Sequence, residues 1–170
     1  LDEAMWAKAS VVKDLHQVVP FEYGPPSELT TFYVLYDKDA VYIGVRAFDK
    51  EASQITAQVL RQGDEQLWNE DHIAIVLDPF HDQRNGYVFI VNPVGVRGDG
   101  LYSNTTQIAS NWDGIWDAKS EITEEGWTAE IAIPFKTLSF NEENDTWGIN
   151  FRRRIVRRQE LIAWESRNRA

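Results

Sequence analysis

The sequence predicts an all-β fold, an antiparallel β-sandwich of jelly-roll type. Three observations support it: short runs rich in β-branched and aromatic residues, turn formers at regular intervals between them, and no window of convincing length with a helical period. An up-and-down barrel is the alternative closure of the same strands. Residues 31–36 and 41–48 flank Asp37-Lys38-Asp39 and read as a hairpin. In its second arm Val41, Ile43, Val45 and Ala47 share one face while Tyr42, Gly44, Arg46 and Phe48 share the other, the period of two that a half-buried strand requires.

A third strand, residues 72–77, stops at Asp78-Pro79, and Asn85-Gly86 is read as the turn into residues 87–92. Residues 118–123, the turn Glu124-Glu125-Gly126 and residues 127–133 repeat the hairpin pattern, with Trp127, Ala129, Ile131 and Ile133 inward. Pro134 ends that strand, and residues 135–138 have room for one helical turn. Residues 147–151 begin a long strand running into the arginines, and residues 161–165 close the set.

The 170 residues, 43% hydrophobic and 26% charged, suit one core of ordinary size, so residues 1–170 are read as a single domain. No linker or internal repeat divides them. A formal net charge of −10 argues against a nucleic-acid partner, because phosphate repulsion would act at every encounter. The absence of cysteine removes disulfides, thiol nucleophiles and thiolate metal sites. No apolar run approaches the ~20 residues that span a bilayer, so direct membrane insertion is not expected, and the first residues are acidic where a signal peptide would be basic. A start without Met and an end without a stop signal are read as a domain excised from something larger.

Seven tryptophans concentrate the functional question. Trp68 stands in Gln66-Leu67-Trp68-Asn69-Glu70-Asp71, a large apolar ring among polar groups, just before an apolar run. One reading holds it toward solvent, where an indole face stacks on the C–H face of a sugar ring while nearby amides and carboxylates bond the hydroxyls; the other folds it over the core. Trp112 and Trp116 lie in a second cluster, residues 111–117, after the polar stretch 103–107. Trp112 is the candidate second aromatic wall. Trp116, Trp127 and Trp147 are read as core.

Arg152, Arg153, Arg154, Arg157 and Arg158 form the dense basic run, best matched to carboxylates of the same domain. As a strand it sends Asn150, Arg152 and Arg154 to one face. Acidic residues gather at strand ends, among them Asp37, Asp39, Asp49, Asp64, Glu65, Asp78 and Asp82, which keeps calcium open although no helix-loop-helix calcium spacing is present. His16, His72 and His81 are scattered, and no catalytic triad or zinc spacing accompanies them. No catalytic residue is assigned.

Taken in order, several segments resemble the family-nine carbohydrate-binding modules and their relatives at the N-terminus of bacterial envelope proteins, within the wider DOMON-like sandwiches. They are residues 1–6, the hairpin 32–49, Trp68-Asn69-Glu70-Asp71 leading to Leu77-Asp78, residues 86–92, Asp99-Gly100, residues 112–116, 126–135 and 147–151. The resemblance implies two tryptophans clamping a terminal sugar, with Trp68 at one clamp and Asn92 as a polar contact. Ala74 and Ile90 occupy other positions that are polar in sugar binders. The second clamp would follow Trp164, where Ser166-Arg167-Asn168-Arg169-Ala170 holds no aromatic. The relatives sharing residues 112–118 and the arginine strand are leading domains of proteins whose remainder resembles an outer-membrane barrel, which implies export to the periplasm, cell surface or exterior.

The expected function is therefore noncatalytic binding of an oligo- or polysaccharide, with Trp68 as platform, Trp112 as second wall, and Asn69, Glu70, Asp71 and Asn92 as hydroxyl partners. One alternative is a scaffold domain that packs on the remainder of its own polypeptide. Another is a haem domain of DOMON type using Met5 and a histidine, against which Met5 beside Trp6 reads as core.

Overall fold

The computed structural model describes residue 1, residues 3–103 and residues 107–165. Its strands are β1 (Ser10–Val12), β2 (His16–Val19), β3 (Thr30–Tyr36), β4 (Ala40–Phe48), β5 (His72–Asp78), β6 (Asn85–Val91), β7 (Arg97–Ser103), β8 (Gln107–Ala109), β9 (Asp117–Thr123), β10 (Gly126–Pro134), β11 (Gly148–Ile155) and β12 (Glu160–Ala163). They form a five-stranded sheet in the order β1-β3-β4-β10-β9 and a seven-stranded sheet in the order β2-β12-β11-β5-β6-β7-β8. Among the described residues neither sheet closes on itself, so the chain is a sandwich and not a closed barrel.

The three expected hairpins are present as the antiparallel pairs β3–β4, β5–β6 and β9–β10. Alternation sets the core. Val41, Ile43, Val45 and Ala47 of β4 and Trp127, Ala129, Ile131 and Ile133 of β10 are all buried. The seven-stranded sheet answers with Ile73, Ile75, Leu77, Phe89, Val91 and Phe151, and the rings of Phe32 and Phe151 stack across the interface at 4.4 Å between centroids. Trp116 and Trp127 are buried, and Trp147 is half-buried against the same core.

Two expectations are corrected. Asn85-Gly86 is not the turn: both residues already pair with β7, and the turn is closed earlier by carboxylates that accept backbone N–H groups. Asp78 accepts from Gln83 at 2.7 Å, and Asp82 accepts from Arg84 at 2.7 Å and from Asn85 at 2.9 Å. Gly86 is required for space, since a Cβ there would stand 2.2 Å from the Leu77 carbonyl and 2.5 Å from the Tyr102 ring. Met5 is not core either; it is 44% exposed in a short 3-10 turn beside the five-stranded sheet.

The arginine run behaves as its strand period requires. Arg153 points inward with Phe151 and Ile155 and is 1% exposed. Its guanidinium donates to the Leu29 carbonyl at 3.1 Å, the Thr30 hydroxyl at 3.0 Å and the Phe48 carbonyl at 2.8 Å. Burial pulls it down to about 10, with the charge of Asp49 acting in the opposite direction. Past the strand end, Arg157 grips Asp49 with two bonds of 2.6 and 2.7 Å, and Arg158 reaches Glu28 and Glu51. These pairs join β11 to the ends of β3 and β4, fixing one sheet over the other.

Candidate functional site

Alternation along β6 assigns each residue to a side of the seven-stranded sheet. Phe89 and Val91 enter the main core, so Ile90 faces outward, where it packs with Leu67 and Val96 in a small second cluster. The chain between η2 (Ala52–Gln54) and β5 therefore lies over the sheet's outer face. It ends in a 3-10 turn, η3 (Glu65–Asn69), capped by the Asp64 carboxylate, which accepts from the Gln66 N–H at 2.9 Å. Leu67 faces the sheet and is fully buried. Its neighbour Trp68 is turned outward and remains 36% exposed, its ring perpendicular to that of His72.

Buried polar groups hold this covering segment in place. Glu70 accepts backbone N–H groups from Gln58 at 2.7 Å and Val59 at 3.1 Å, and the side-chain amide of Asn92 at 2.8 Å. Asn92, with 0% exposure, also donates to the Val59 carbonyl at 3.0 Å and accepts from Val94 at 3.2 Å and Val96 at 2.8 Å. Asp71 accepts from Val156 at 2.8 Å and Thr56 at 3.4 Å; burial pushes its carboxyl up, and these two bonds oppose the shift. His72, also buried, is held down to about 4 by that burial, its Nδ1 lying 2.8 Å from the Glu70 carbonyl.

A cleft of about 270 Å³ opens between η3 with the residues just before it and the loop that follows β8. Trp68 lies on one wall and Trp112 on the other, with Arg97, Gly98 and Asp99 of β7 between them. The Gly63 N–H donates to the Arg97 carbonyl at 2.8 Å, and the Arg97 N–H donates to the Gln62 side chain at 2.6 Å, tying the first wall to β7. Trp112 is backed by Tyr87 and Phe89, with ring centroids 4.8 and 5.9 Å away. A Cβ on Gly114 would come within 2.4 Å of the Trp112 ring, so the second wall needs glycine at that position.

Asp99 organises the same wall. Its Oδ2 accepts the Trp116 indole N–H at 2.7 Å and the Gly114 N–H at 3.1 Å. Burial pushes the Asp99 carboxyl above its ordinary value against those two bonds. Arg97 donates to the Trp116 carbonyl and lies over the Trp116 ring, 5.4 Å from its centroid.

Of the six residues singled out in the sequence, Trp68 and Trp112 share this cleft. Asn69 is exposed, bonds Gln66 at 3.0 Å and does not line it. Glu70, Asp71 and Asn92 are buried and bonded to backbone, which corrects their reading as hydroxyl partners in this cleft: they brace the segment that carries Trp68. Of the positions noted for lost polarity, Ile90 lines the cleft and Ala74 is buried. Sequence reasoning missed Gln62, Arg97 and Ser110, for which no local signal existed, and did not select Asp64, Glu65, Asp99 or Asp113, although each lay in a segment already noted. Residues 104–106 of the polar stretch and the tail 166–170, where the second clamp would fall, lie outside the described residues.

Among the described residues no group of three or more Asp, Glu or His stands together so as to hold a metal ion. Asp37, Asp64, Asp78 and Asp82 accept backbone N–H groups of their own turns, Asp37 from Asp39 at 2.8 Å and Ala40 at 2.9 Å. The haem reading lacks its pair, since no histidine lines the groove that Met5 lines.

The family model described as carbohydrate family 9 binding domain-like matches residues 1–168. A protein of Bacteroides uniformis described as a candidate carbohydrate-binding protein shares the fold with a TM-score of 0.71 at 13% identity, over 93% of this chain and 78% of that one. A carbohydrate binding module family 9 from Caldicellulosiruptor kristjanssonii, in complex with cellotriose, gives 0.64 at 15% identity over 95% and 74%. A module of that family from the same organism in complex with glucose gives 0.63 at 15% over 96% and 78%. At these identities the likeness is one of fold. No curated protein matches the chain at a significant level.

Proposed function

The chain belongs to the carbohydrate family 9 binding domain-like family, and from that premise we propose that it binds oligo- or polysaccharide in the cleft between Trp68 and Trp112. The family is a noncatalytic binding module, so the domain is not an enzyme. One observation carries the proposal: the Trp68 indole stays partly uncovered on the wall of a cleft whose other wall is also an indole. Solved neighbours hold cellotriose and glucose, which supports the ligand class. Stacking would supply much of the affinity, and hydrogen bonds donated by the sugar hydroxyls to Asp64, Glu65, Asp99 and Asp113 would choose the sugar. With an open rim, affinity falls in the micromolar to millimolar range.

Titration of the domain and of Trp68→Ala with a panel of oligosaccharides tests the site. Binding in the wild type and its loss in the variant is the expected result; unchanged binding in the variant removes the platform.

A second reading, that the same loops dock the remainder of a larger polypeptide, is favoured by Leu60 and Ile115, which are 80% and 82% exposed in the segments that wall the cleft. The resemblance to exported envelope proteins supports placing such a parent in the periplasm or at the cell surface. A wild-type domain that binds no saccharide in the panel selects this second reading.

A further inference from the structure

Charge around the cleft is one-sided. Among the described residues Asp64, Glu65, Asp99 and Asp113 line it, against the one guanidinium of Arg97. That guanidinium is already engaged by the Trp116 carbonyl and ring, and the Asp117 carboxylate stands 4.0 Å away. The Gly114 N–H donates to Asp99, and the neighbouring Asp113 is exposed; burial is the main reason the Asp99 carboxyl lies above its ordinary value, and the charge of Asp113 acts in the same direction. A ligand cation placed beside the two would relieve their repulsion. Indole faces act in the same direction, since a ring quadrupole attracts a cation and repels an anion. A ligand carboxylate or sulfate would instead meet four like charges.

We infer that the cleft prefers an amino sugar, taken with its ammonium group protonated and directed at Asp99 and Asp113 while the ring stacks on Trp68. The inference rests on the saccharide reading of the same cleft and adds the ligand's charge. The carboxylates alone would be solvated surface groups; two aromatic walls around them make the arrangement a recognition site for a cationic ring.

Calorimetric titration of the whole domain with glucosamine, glucose and galacturonic acid oligomers of equal length, at mildly acidic pH, tests it. The glucosamine oligomer is expected to bind at least about tenfold more tightly than the glucose oligomer. That gap should shrink with added salt and close in Asp113→Asn, whose exposed side chain leaves the fold little to lose. Equal affinity for glucosamine and glucose, a preference for galacturonate, or a gap that survives in Asp113→Asn overturns the inference and leaves the saccharide site standing. Failure of every oligomer to bind overturns both.

Discussion

The indole of Trp68 meets the imidazole of His72 edge to face, with ring centroids 5.4 Å apart and planes at 80°. A perpendicular contact of this kind orients the indole without laying the second ring flat against it. His72 is in turn fixed by burial at the start of β5 and by the Glu70 carbonyl. The partly exposed indole therefore stands on a buried support.

Trp68→Ala should separate binding from folding. Saccharide affinity is expected to fall at least about tenfold, while stability in urea moves by less than about 1 kcal/mol, because the ring is already partly hydrated. Trp112→Ala should do the reverse to stability. It removes packing against Tyr87 and Phe89 and is expected to cost about 3 kcal/mol.

His72 gives stability a defined pH slope. Burial holds it at about 4, below the 6.5 of an unperturbed imidazole, so between those values the unfolded chain binds the extra proton and the folded chain does not. Stability rises with pH through that window and is lost as pH falls, by at most about 3 kcal/mol. Urea midpoints measured across the window should show a shallower slope in His72→Gln than in the wild type.

Asp49 contributes on the acid side as well. Burial alone would push its carboxyl up, but the Arg157 fork and the Glu51 N–H hold it below the ordinary carboxylate range. Its contribution is present above the unfolded value and disappears as pH falls through the folded one. Asp49→Asn leaves Arg153 buried 3.9 Å from a neutral amide, and a loss of about 3–5 kcal/mol in chemical denaturation is expected.

Asn92→Ala tests the bracing role of the buried polar groups. The variant strips partners from Glu70, the Val59 carbonyl and the N–H groups of Val94 and Val96, at a cost of about 2 kcal/mol or more. Hydrogen exchange at Val94 and Val96 should accelerate. Glucose-oligomer affinity should fall far less than it does in Trp68→Ala.

β4 and β10 carry the period of two of a strand buried on one face, whereas β5 and β6, buried on both faces, were legible as apolar runs between turn formers. β1, β2 and β8 are short margin strands with too few residues to show a period. β7, which runs Arg97-Gly98-Asp99-Gly100, offers no apolar alternation, because its outward glycines lie beneath other chain segments and its inward Asp99 pairs with an indole. The proposed cleft was therefore half legible: Trp68 and Trp112, which both line it, stood out in the sequence, but the strand between them did not. Glu70, Asp71 and Asn92 were misread because polar residues beside an exposed ring have the same local sequence whether they face a ligand or satisfy the backbone beneath it.

Where β8 has ended, the outer side of β7 at Arg97 is occupied by Gln62 and Gly63. Those residues stand where a foreign strand would otherwise add itself to the ladder. One short stretch thus lines the proposed cleft and guards the domain against intermolecular β-pairing, so changes made there to tune ligand choice risk self-association as well.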